Sequence, residues 1–339
     1  PGGPHRGEEL LPVLERLLAR VHEASGLSLD GQAPRLRTHP SGNYTEGRIY
    51  YRGPRGAPTV ASVRLDLLAS EIVLRPTVLR EISHPYPDSL PALGRVRCYG
   101  FEEVFAEKLR ALGERSRPRD LYDVVHLYRR PALRHHAGLV AEVLQGKCTS
   151  KGVPIPTLAS IEASEHRNEL ETEWANMLAH QLPVLPPIES FWNELPALFA
   201  WLRGEEIEAE LEPLELGQEV EESWRPPAML WTWGVGAPIE AIRFGASNHL
   251  LVELGYQGKT RQIEPYSFRR TKAGAVLLFA LKADSREVRG YRLDRIESVR
   301  VTKTPFQPVH PIEIGGDGGI FAPPLRHRRR VPRTPARRR

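Results

Sequence analysis

Residues 101–130 carry two amphipathic helical patterns on either side of a basic loop, and this arrangement constrains the fold more than any other stretch. With about 100° between successive helical residues, the apolar side chains of the first pattern share one face. They are Val104, Phe105, Leu109 and Leu112. Lys108 falls in the middle of this face. Because an unpaired buried ammonium costs several kcal/mol, we expect Lys108 either to extend its charged end to solvent or to be held by a buried anion.

The loop and the second pattern place further charges after the lysine. We expect Gly113 to end the first helix, and three arginines follow: Arg115, Arg117 and Arg119. Asp120 stands where an N-cap or first-turn carboxylate belongs. It precedes an apolar face formed by Leu121, Val124, Val125 and Tyr128. A structural interpretation stays open for both nearby acids, with Asp120 as a helix cap and Asp123 as a solvated carboxylate.

Together these residues form a motif with the spacing K-x10-R-D-x-x-D. It resembles the signature of the AbiEii/AbiGii-type toxin nucleotidyltransferases, in which a helix E-E-x-x-A-E-K-L-R-A-L precedes a basic loop and R-D-L-Y-D. The matching residues are Glu102, Glu103, Ala106, Glu107, Lys108, Leu109, Arg110, Ala111, Leu112, Arg119, Asp120, Leu121, Tyr122 and Asp123. The resemblance implies transfer of NMP from an NTP to an RNA, with the 3′ end of tRNA as the expected acceptor. It also implies a bacterial toxin–antitoxin system, a role in phage defence and a cognate antitoxin protein.

The resemblance further implies roles for single residues. Lys108 would bind the NTP phosphates, and Arg119, Asp120 and Asp123 would line the same cleft or fix the lysine helix. Asp66 matches a third carboxylate of the family, and it would serve as a Mg²⁺ ligand or as the base that activates the acceptor hydroxyl. Its immediate neighbours in the sequence are leucines, a setting that indicates a metal ion or a cationic partner.

The family's first metal-binding motif has no counterpart in residues 1–65. No Gly-Ser or Gly-Gly pair there leads into D-x-D or E-x-D. One carboxylate cannot organise the two Mg²⁺ ions of this chemistry. We therefore expect the printed chain to incorporate no labelled NTP into tRNA, as a truncated or degenerate member of the family. Its first residue, Pro1, favours truncation, and a version extended upstream is expected to be active.

The pattern over the first 204 residues predicts an α+β fold, with a helical region over 131–204. For residues 1–130 the resemblance implies a nucleotidyltransferase-like mixed sheet with helices. The expected helix covers 9–23, and the expected strands cover 48–52, 60–68 and 96–99. Helical spacing recurs in 139–144, 158–182 and 188–202. We interpret the aromatic residues of this region as core residues: Trp174, Phe191, Trp192 and Trp201.

After residue 204 the pattern changes from helical to period two. Residues 205–222 contain nine glutamates, which predicts an acidic, Pro-containing linker over 205–227. Short candidate strands follow at 241–244, 250–254, 260–265, 276–281, 288–293 and 298–302. Residues 256–259 provide a hairpin turn. This density of strands predicts a small β-barrel, closed or half-closed, over 228–312.

The predicted barrel resembles the WYL domain, an SH3-like barrel that binds nucleic acid or nucleotide ligands in bacterial regulators. The resemblance rests on R-Q-I-E-P-Y-S-F at 261–268, Gly274, and R-G-Y-R-L-D-R-I-E-S-V at 289–299. The name-giving Trp-Tyr-Leu falls at Val276, Leu277 and Leu278, so only the leucine is kept. The candidate phosphate-contacting residues are Arg261, Arg289, Arg292 and Arg295. Alternatively, these arginines are exposed strand residues paired with Glu264, Glu287 and Asp294.

Composition excludes several classes of protein. The two cysteines, Cys98 and Cys148, are too few for a disulfide framework or a structural zinc site, and with no long apolar run they favour a cytoplasmic protein. The eight arginines of residues 326–339 exceed the whole net charge of +5, so the basic balance belongs to the tail. Residues 313–339 are expected to be a disordered Arg-rich tail. An alternative function remains open, a non-catalytic regulator that binds nucleic acid or a nucleotide ligand through the barrel.

Overall fold

The computed structural model describes residues 7–29, 31–52, 60–68, 71–82, 94–205, 211–215, 220 and 236–314. The chain divides into two compact units, Pro1–Val73 and Leu74–Arg339. Most of the predicted acidic linker (205–227) and nearly all of the predicted tail (313–339) lie outside the described residues. Within the described part, no helix combines the length and the apolar character that crossing a membrane requires. The domain boundaries drawn from the sequence remain predictions.

The first unit contains one helix and an antiparallel three-stranded sheet among its described residues. The helix α1 spans Gly7–Ser25, and the strands are β1 (Arg35–Thr38), β2 (Tyr44–Tyr51) and β3 (Ala61–Leu68), in the order β1-β2-β3. The register places Asp66 of β3 directly opposite Glu46 of β2. The predicted helix and the strands expected at 48–52 and 60–68 are confirmed. At four residues, β1 is too short for its pattern to predict it.

The second unit opens with the antiparallel pair β4 (Val78–Glu81) and β5 (Arg95–Cys98). A helical region follows, formed by α2 (Phe101–Arg115), α3 (Pro118–Tyr128), a 3-10 helix (Pro131–His136), α4 (Ala137–Lys151), α5 (Leu158–Glu162), α6 (Arg167–Leu178), α7 (Glu189–Trp192) and α8 (Leu195–Leu202). The apolar faces of these helices form a single core that includes Trp174, Phe191 and Trp201, with Trp192 packed against it. The interpretation of these aromatics as core residues is confirmed.

The prediction that Gly113 ends the first helix of the motif is wrong. α2 continues to Arg115 and ends at Ser116, whose φ of 43° is left-handed and whose amide donates to the Leu112 carbonyl. Gly113 serves packing instead, because a Cβ at this position would lie 2.6 Å from the Cβ of Pro156. The absent side chain therefore lets the segment around Pro156 approach α2.

The C-terminal part is a helix packed on a five-stranded antiparallel sheet. The helix α9 spans Gly236–Ser247, and the strands are β6 (Leu250–Tyr256), β7 (Lys259–Arg270), β8 (Val276–Lys282), β9 (Val288–Arg292) and β10 (Ile296–Pro305). The strand order is β10-β6-β7-β8-β9, so β9 and β10 form the two edges and the sheet does not close into a barrel among the described residues. The predicted turn is confirmed, since Gln257 and Gly258 both have positive φ, at 53° and 68°.

The strand predicted at 241–244 is wrong, because these residues belong to α9. The apolar residues Ile239, Ile242 and Ala246 are buried at spacings of three and four residues, which is the period of a helix. A four-residue apolar segment considered alone does not distinguish the two periods.

Candidate functional site

Lys108 lies on α2 with its charged end held by two carboxylates of α3. Its Nζ is 2.7 Å from Oδ2 of Asp123 and 3.9 Å from Oδ1 of Asp120. The lysine side chain remains 32% exposed, whereas that of Asp120 is only 1% exposed. Both alternatives drawn from the sequence are therefore partly realised, since an anion holds the ammonium while solvent still reaches it.

Asp120 is bound more tightly by Arg115 than by Lys108. Nε and Nη2 of Arg115 donate to the two oxygens of Asp120 at 2.7 and 2.9 Å, a bidentate charge-assisted pair. This hydrogen bond to Asp120 raises the pKa of the Arg115 guanidinium. Asp120 occupies the first turn of α3, and Arg117 takes the N-cap position without a side-chain cap. The buried aspartate therefore joins the end of α2 to the start of α3, and it is not the N-cap.

Arg119 and Asp123 are the exposed members of the motif. Arg119 is exposed on the first turn of α3, and it makes no hydrogen bond or ion pair with any residue that the structure describes. Asp123 is 41% exposed at its ion pair with Lys108. The motif thus presents a guanidinium and an ammonium to solvent, the two cationic groups best suited to phosphate oxygens.

The glutamates of the motif have structural partners. Glu103, 2% exposed, accepts hydrogen bonds from the backbone amides of Leu74 and Arg75 at 3.2 and 3.0 Å and pairs with Nζ of Lys147 at 2.8 Å. Glu107 pairs with the same lysine at 3.4 Å. These contacts fasten α2 to α4 and to the segment that begins the second unit. The sequence reasoning did not include Lys147, which stands outside the motif.

Asp66 lies in the first unit, and its predicted role as metal ligand or base stays a prediction. Its Oδ1 accepts from the Tyr44 hydroxyl at 2.6 Å and from Nε of Arg64 at 3.0 Å. The hydrogen bond from Tyr44, together with that from Arg64, lowers the pKa of Asp66 below its ordinary value. Of the two partners predicted for Asp66, a metal ion or a cation, the structure supplies a cation.

The described residues do not fit a two-metal centre. Among them, no three His, Cys, Asp or Glu side chains cluster closely enough to hold a metal ion. Two Mg²⁺ ions need several oxygen ligands from the protein, and in Asp66 only Oδ2 is free of the hydrogen bonds that Tyr44 and Arg64 donate to Oδ1. The described residues therefore hold no complete set of ligands for two metal ions.

Comparison with protein families identifies both parts of the chain. The family model of the nucleotidyl transferase AbiEii toxin of type IV toxin–antitoxin systems matches residues 5–202. The chain belongs to this toxin family. A second family model, that of the WYL domain, matches residues 239–301. A comparison with curated proteins found no match. The resemblance inferred from the motif is thus confirmed, and the chain is a toxin-family nucleotidyltransferase module joined to a WYL domain.

In the WYL domain, two of the four predicted phosphate-contacting arginines pair with carboxylates nearby in the chain. Nη2 of Arg289 lies 2.5 Å from Oε1 of Glu287. Arg292 donates to both oxygens of Asp294, at 3.0 and 2.7 Å. These side chains are still 52% and 40% exposed, and surface pairs of this kind contribute about 0–1 kcal/mol. A phosphate can therefore compete for both arginines.

The other two arginines have no carboxylate partner among the described residues. Nη1 of Arg261 donates to the Tyr256 carbonyl at 2.7 Å, and Arg295 is exposed in the 3-10 helix Leu293–Arg295. Glu264, which was a predicted partner, is buried and pairs with Arg286. Two of the four arginines thus pair with a carboxylate and two do not among the described residues, and their contact with phosphate stays a prediction.

The second half of α3 contacts the WYL domain through buried polar groups. Oδ1 of Asn248 accepts from the Tyr122 hydroxyl at 3.1 Å and lies 3.2 Å from Nε2 of His126. Nη1 of Arg129, at the end of α3, donates to the Ser247 carbonyl at 2.8 Å. The same guanidinium donates to both oxygens of a glutamate before α8, Glu194, at 2.6–3.2 Å. One helix of the toxin module therefore carries both the lysine partners and the WYL contact.

Burial lowers the pKa of two histidines at this contact, His126 to about 3 and His249 to about 4. The charge of Arg129 lowers both further. Burial would raise the pKa of Glu194, but Arg129 and His249 outweigh it and bring that pKa to about 2. At neutral pH, His126 and His249 are therefore neutral and Glu194 is ionised.

Acidification is expected to destabilise this contact. Below the ordinary histidine pKa of 6.5 the unfolded chain binds protons that the folded chain excludes, so the free energy of unfolding falls with pH down to about 4. Each histidine contributes at most about 1.4 kcal/mol per pH unit. Urea unfolding between pH 7.5 and 4.5 measures this slope. The His126→Gln variant should show a shallower slope, and an equivalent change at the exposed His180 should not. An unchanged slope in His126→Gln would contradict the assignment.

Proposed function

We propose that this toxin-family protein transfers NMP from an NTP to the 3′ end of an RNA, with tRNA as the acceptor class. The observation that carries the proposal is the Lys108 ammonium, which Asp123 holds at 2.7 Å while the lysine side chain stays 32% exposed. An ammonium that is held in place and still accessible can donate to an incoming phosphate oxygen. The match to a nucleotidyl transferase family supports the same chemistry.

Lys108 is proposed to bind the NTP phosphates. An ammonium has three donors, and Asp123 is the carboxylate of the site within hydrogen-bond distance of Nζ, since Asp120 lies at 3.9 Å. Donors therefore remain for phosphate oxygens. Negative charge develops on these oxygens during phosphoryl transfer, so a fixed cation stabilises the transition state. Arg119, exposed on the next helix, is proposed to contact the nucleotide from the same side of the motif.

The two aspartates are proposed to have different roles. Asp123 orients the ammonium directly, whereas Asp120 acts through the loop, because its bidentate pair with Arg115 joins the two helices that carry the site. Asp66 remains the candidate base or metal ligand. Its lowered pKa makes it a weaker base, which suits a metal ligand better than a general base. A divalent cation, Mg²⁺ in the proposal, would neutralise the phosphates when bound, and Asp66 is the single ligand proposed for it from the described residues.

The WYL domain is proposed to bind the phosphates of a nucleic acid through Arg261, Arg289, Arg292 and Arg295. Support comes from the WYL match and from the solvent access of these side chains, since Arg289 and Arg295 are exposed and Arg261 and Arg292 are partly exposed. A cognate antitoxin is proposed as a further partner, on the strength of the toxin–antitoxin system named for the family. A non-catalytic regulator is the less favoured alternative, since it assigns no role to Lys108.

Nucleotide binding and transfer test the proposal separately. Titration of the chain with each NTP should give saturable binding that competes with pyrophosphate. A version of the protein that carries the family's first metal-binding motif, incubated with labelled NTP and total RNA, should then label the 3′ end of RNA in the tRNA size range. Absence of NTP binding would overturn the proposal, and labelling of another RNA class would overturn the choice of acceptor.

A further inference from the structure

Two sets of contacts alternate along the helix α3, less than one turn apart. Tyr122 and His126, which contact Asn248 of the WYL domain, stand on either side of Asp123, which holds Lys108. Because an α-helix is stiff over so short a distance, a shift at Tyr122 moves Asp123 with it. The Asn248 contact therefore acts on the element that orients the ammonium.

Asn248 is itself fixed on the WYL side. Its side chain is 1% exposed, and its Nδ2 donates to the Phe244 carbonyl at 2.9 Å. That bond uses the amide nitrogen and directs the side-chain oxygen at α3, where Tyr122 and His126 approach it at 3.1 and 3.2 Å. A buried amide with both ends engaged has one favourable orientation, so it sets the position of its partners rather than adapting to them.

We propose that Asn248 is a positioning residue for nucleotidyl transfer: a WYL-domain side chain that fixes α3 and so aligns the Asp123–Lys108 pair for NTP binding. This inference rests on the role proposed above for Lys108. In this proposal, the WYL domain helps to hold the residues of the nucleotide site in position. A change of structure at Ser247–Asn248 is transmitted to the ammonium without any direct contact between the WYL domain and the nucleotide.

The test compares Asn248→Ala with Ser267→Ala. Ser267 is equally buried in the WYL domain, at 1% exposure, and its hydroxyl accepts from Arg269 rather than from α3. Two quantities are measured at a temperature where both variants are fully folded, the amide hydrogen exchange of α3 and the dissociation constant for NTP. A third variant, Tyr122→Phe, removes one donor to Asn248 and serves for a double-mutant comparison.

Asn248→Ala is expected to speed exchange in the second half of α3 and to weaken NTP binding by about three- to tenfold, with Ser267→Ala near wild type on both. The double variant with Tyr122→Phe should bind NTP no more weakly than Asn248→Ala alone. Unchanged exchange, or faster exchange with unchanged NTP affinity, would overturn the inference. If Lys108→Ala also leaves NTP affinity unchanged, the proposed function fails. If Lys108→Ala weakens binding and Asn248→Ala does not, only the positioning role fails.

Discussion

Replacing Lys108 with alanine is expected to weaken NTP binding at least about tenfold and to lower transfer about 100- to 1,000-fold in a version of the protein that carries the family's first metal-binding motif. The ammonium supplies a fixed positive charge, and its loss removes that charge at the moment when negative charge grows on the phosphate oxygens. The exposed Asp123 would also lose its cation and repel the triphosphate. Titration calorimetry and a labelled-NTP transfer assay measure the two effects.

The matched control for this variant is Lys151→Ala, since Lys151 is an exposed lysine at the end of α4. It changes the net charge equally and should leave both quantities within about twofold of wild type. Asp123→Asn should fall between the two, because it frees the ammonium without removing it. Equal NTP affinity in Lys108→Ala and Lys151→Ala would exclude Lys108 from the nucleotide site.

Replacing Glu103 with leucine is expected to lower the free energy of unfolding by about 3–5 kcal/mol. The substitution leaves the Lys147 ammonium, 3% exposed, without its nearest anion, and it leaves the amides of Leu74 and Arg75 without their acceptor. Breaking one side of a buried pair is far more harmful than removing both sides. Urea unfolding followed by circular dichroism measures the loss.

Two further variants separate charge from packing in this result. Adding Lys147→Met to Glu103→Leu removes the buried ammonium that has lost its nearest anion. We expect this double variant to recover part of the lost stability. Glu171→Ala breaks an exposed pair with Arg167, and its effect should stay below about 1 kcal/mol. A loss below about 1 kcal/mol for Glu103→Leu would show that the buried pair contributes little.

The helices of the motif were predictable because their apolar residues recur at a single period over two or more turns. The periodicity of apolar residues does not decide the structure of residues 241–244, because four residues fit either a strand or a helix. In the structure these residues belong to α9. The prediction that Gly113 ends the helix is wrong for a different reason. Its missing side chain is required by Pro156, a tertiary contact that no local pattern contains.

For the candidate site, the sequence predicts which residues are involved better than it predicts the contacts they make. Lys108 could be identified as unusual from its apolar face, and Asp120 and Asp123 from their spacing after it. Arg115 became the main partner of Asp120 only because Ser116 adopts a left-handed φ, which turns the chain between the two helices. The contact of Tyr122 with Asn248 joins residues more than one hundred positions apart, beyond the reach of periodicity.

The structural partners of Glu103 and Glu107 bear on what the family signature can report. These acids hold α2 in place through Lys147, so a chain that had lost its chemistry would still be under pressure to keep them in order to fold. Much of the signature therefore reports the fold of the helical region and not its catalytic activity. Whether a given member still acts on nucleotides is better judged from the accessible lysine and its aspartate, whose loss the fold would tolerate.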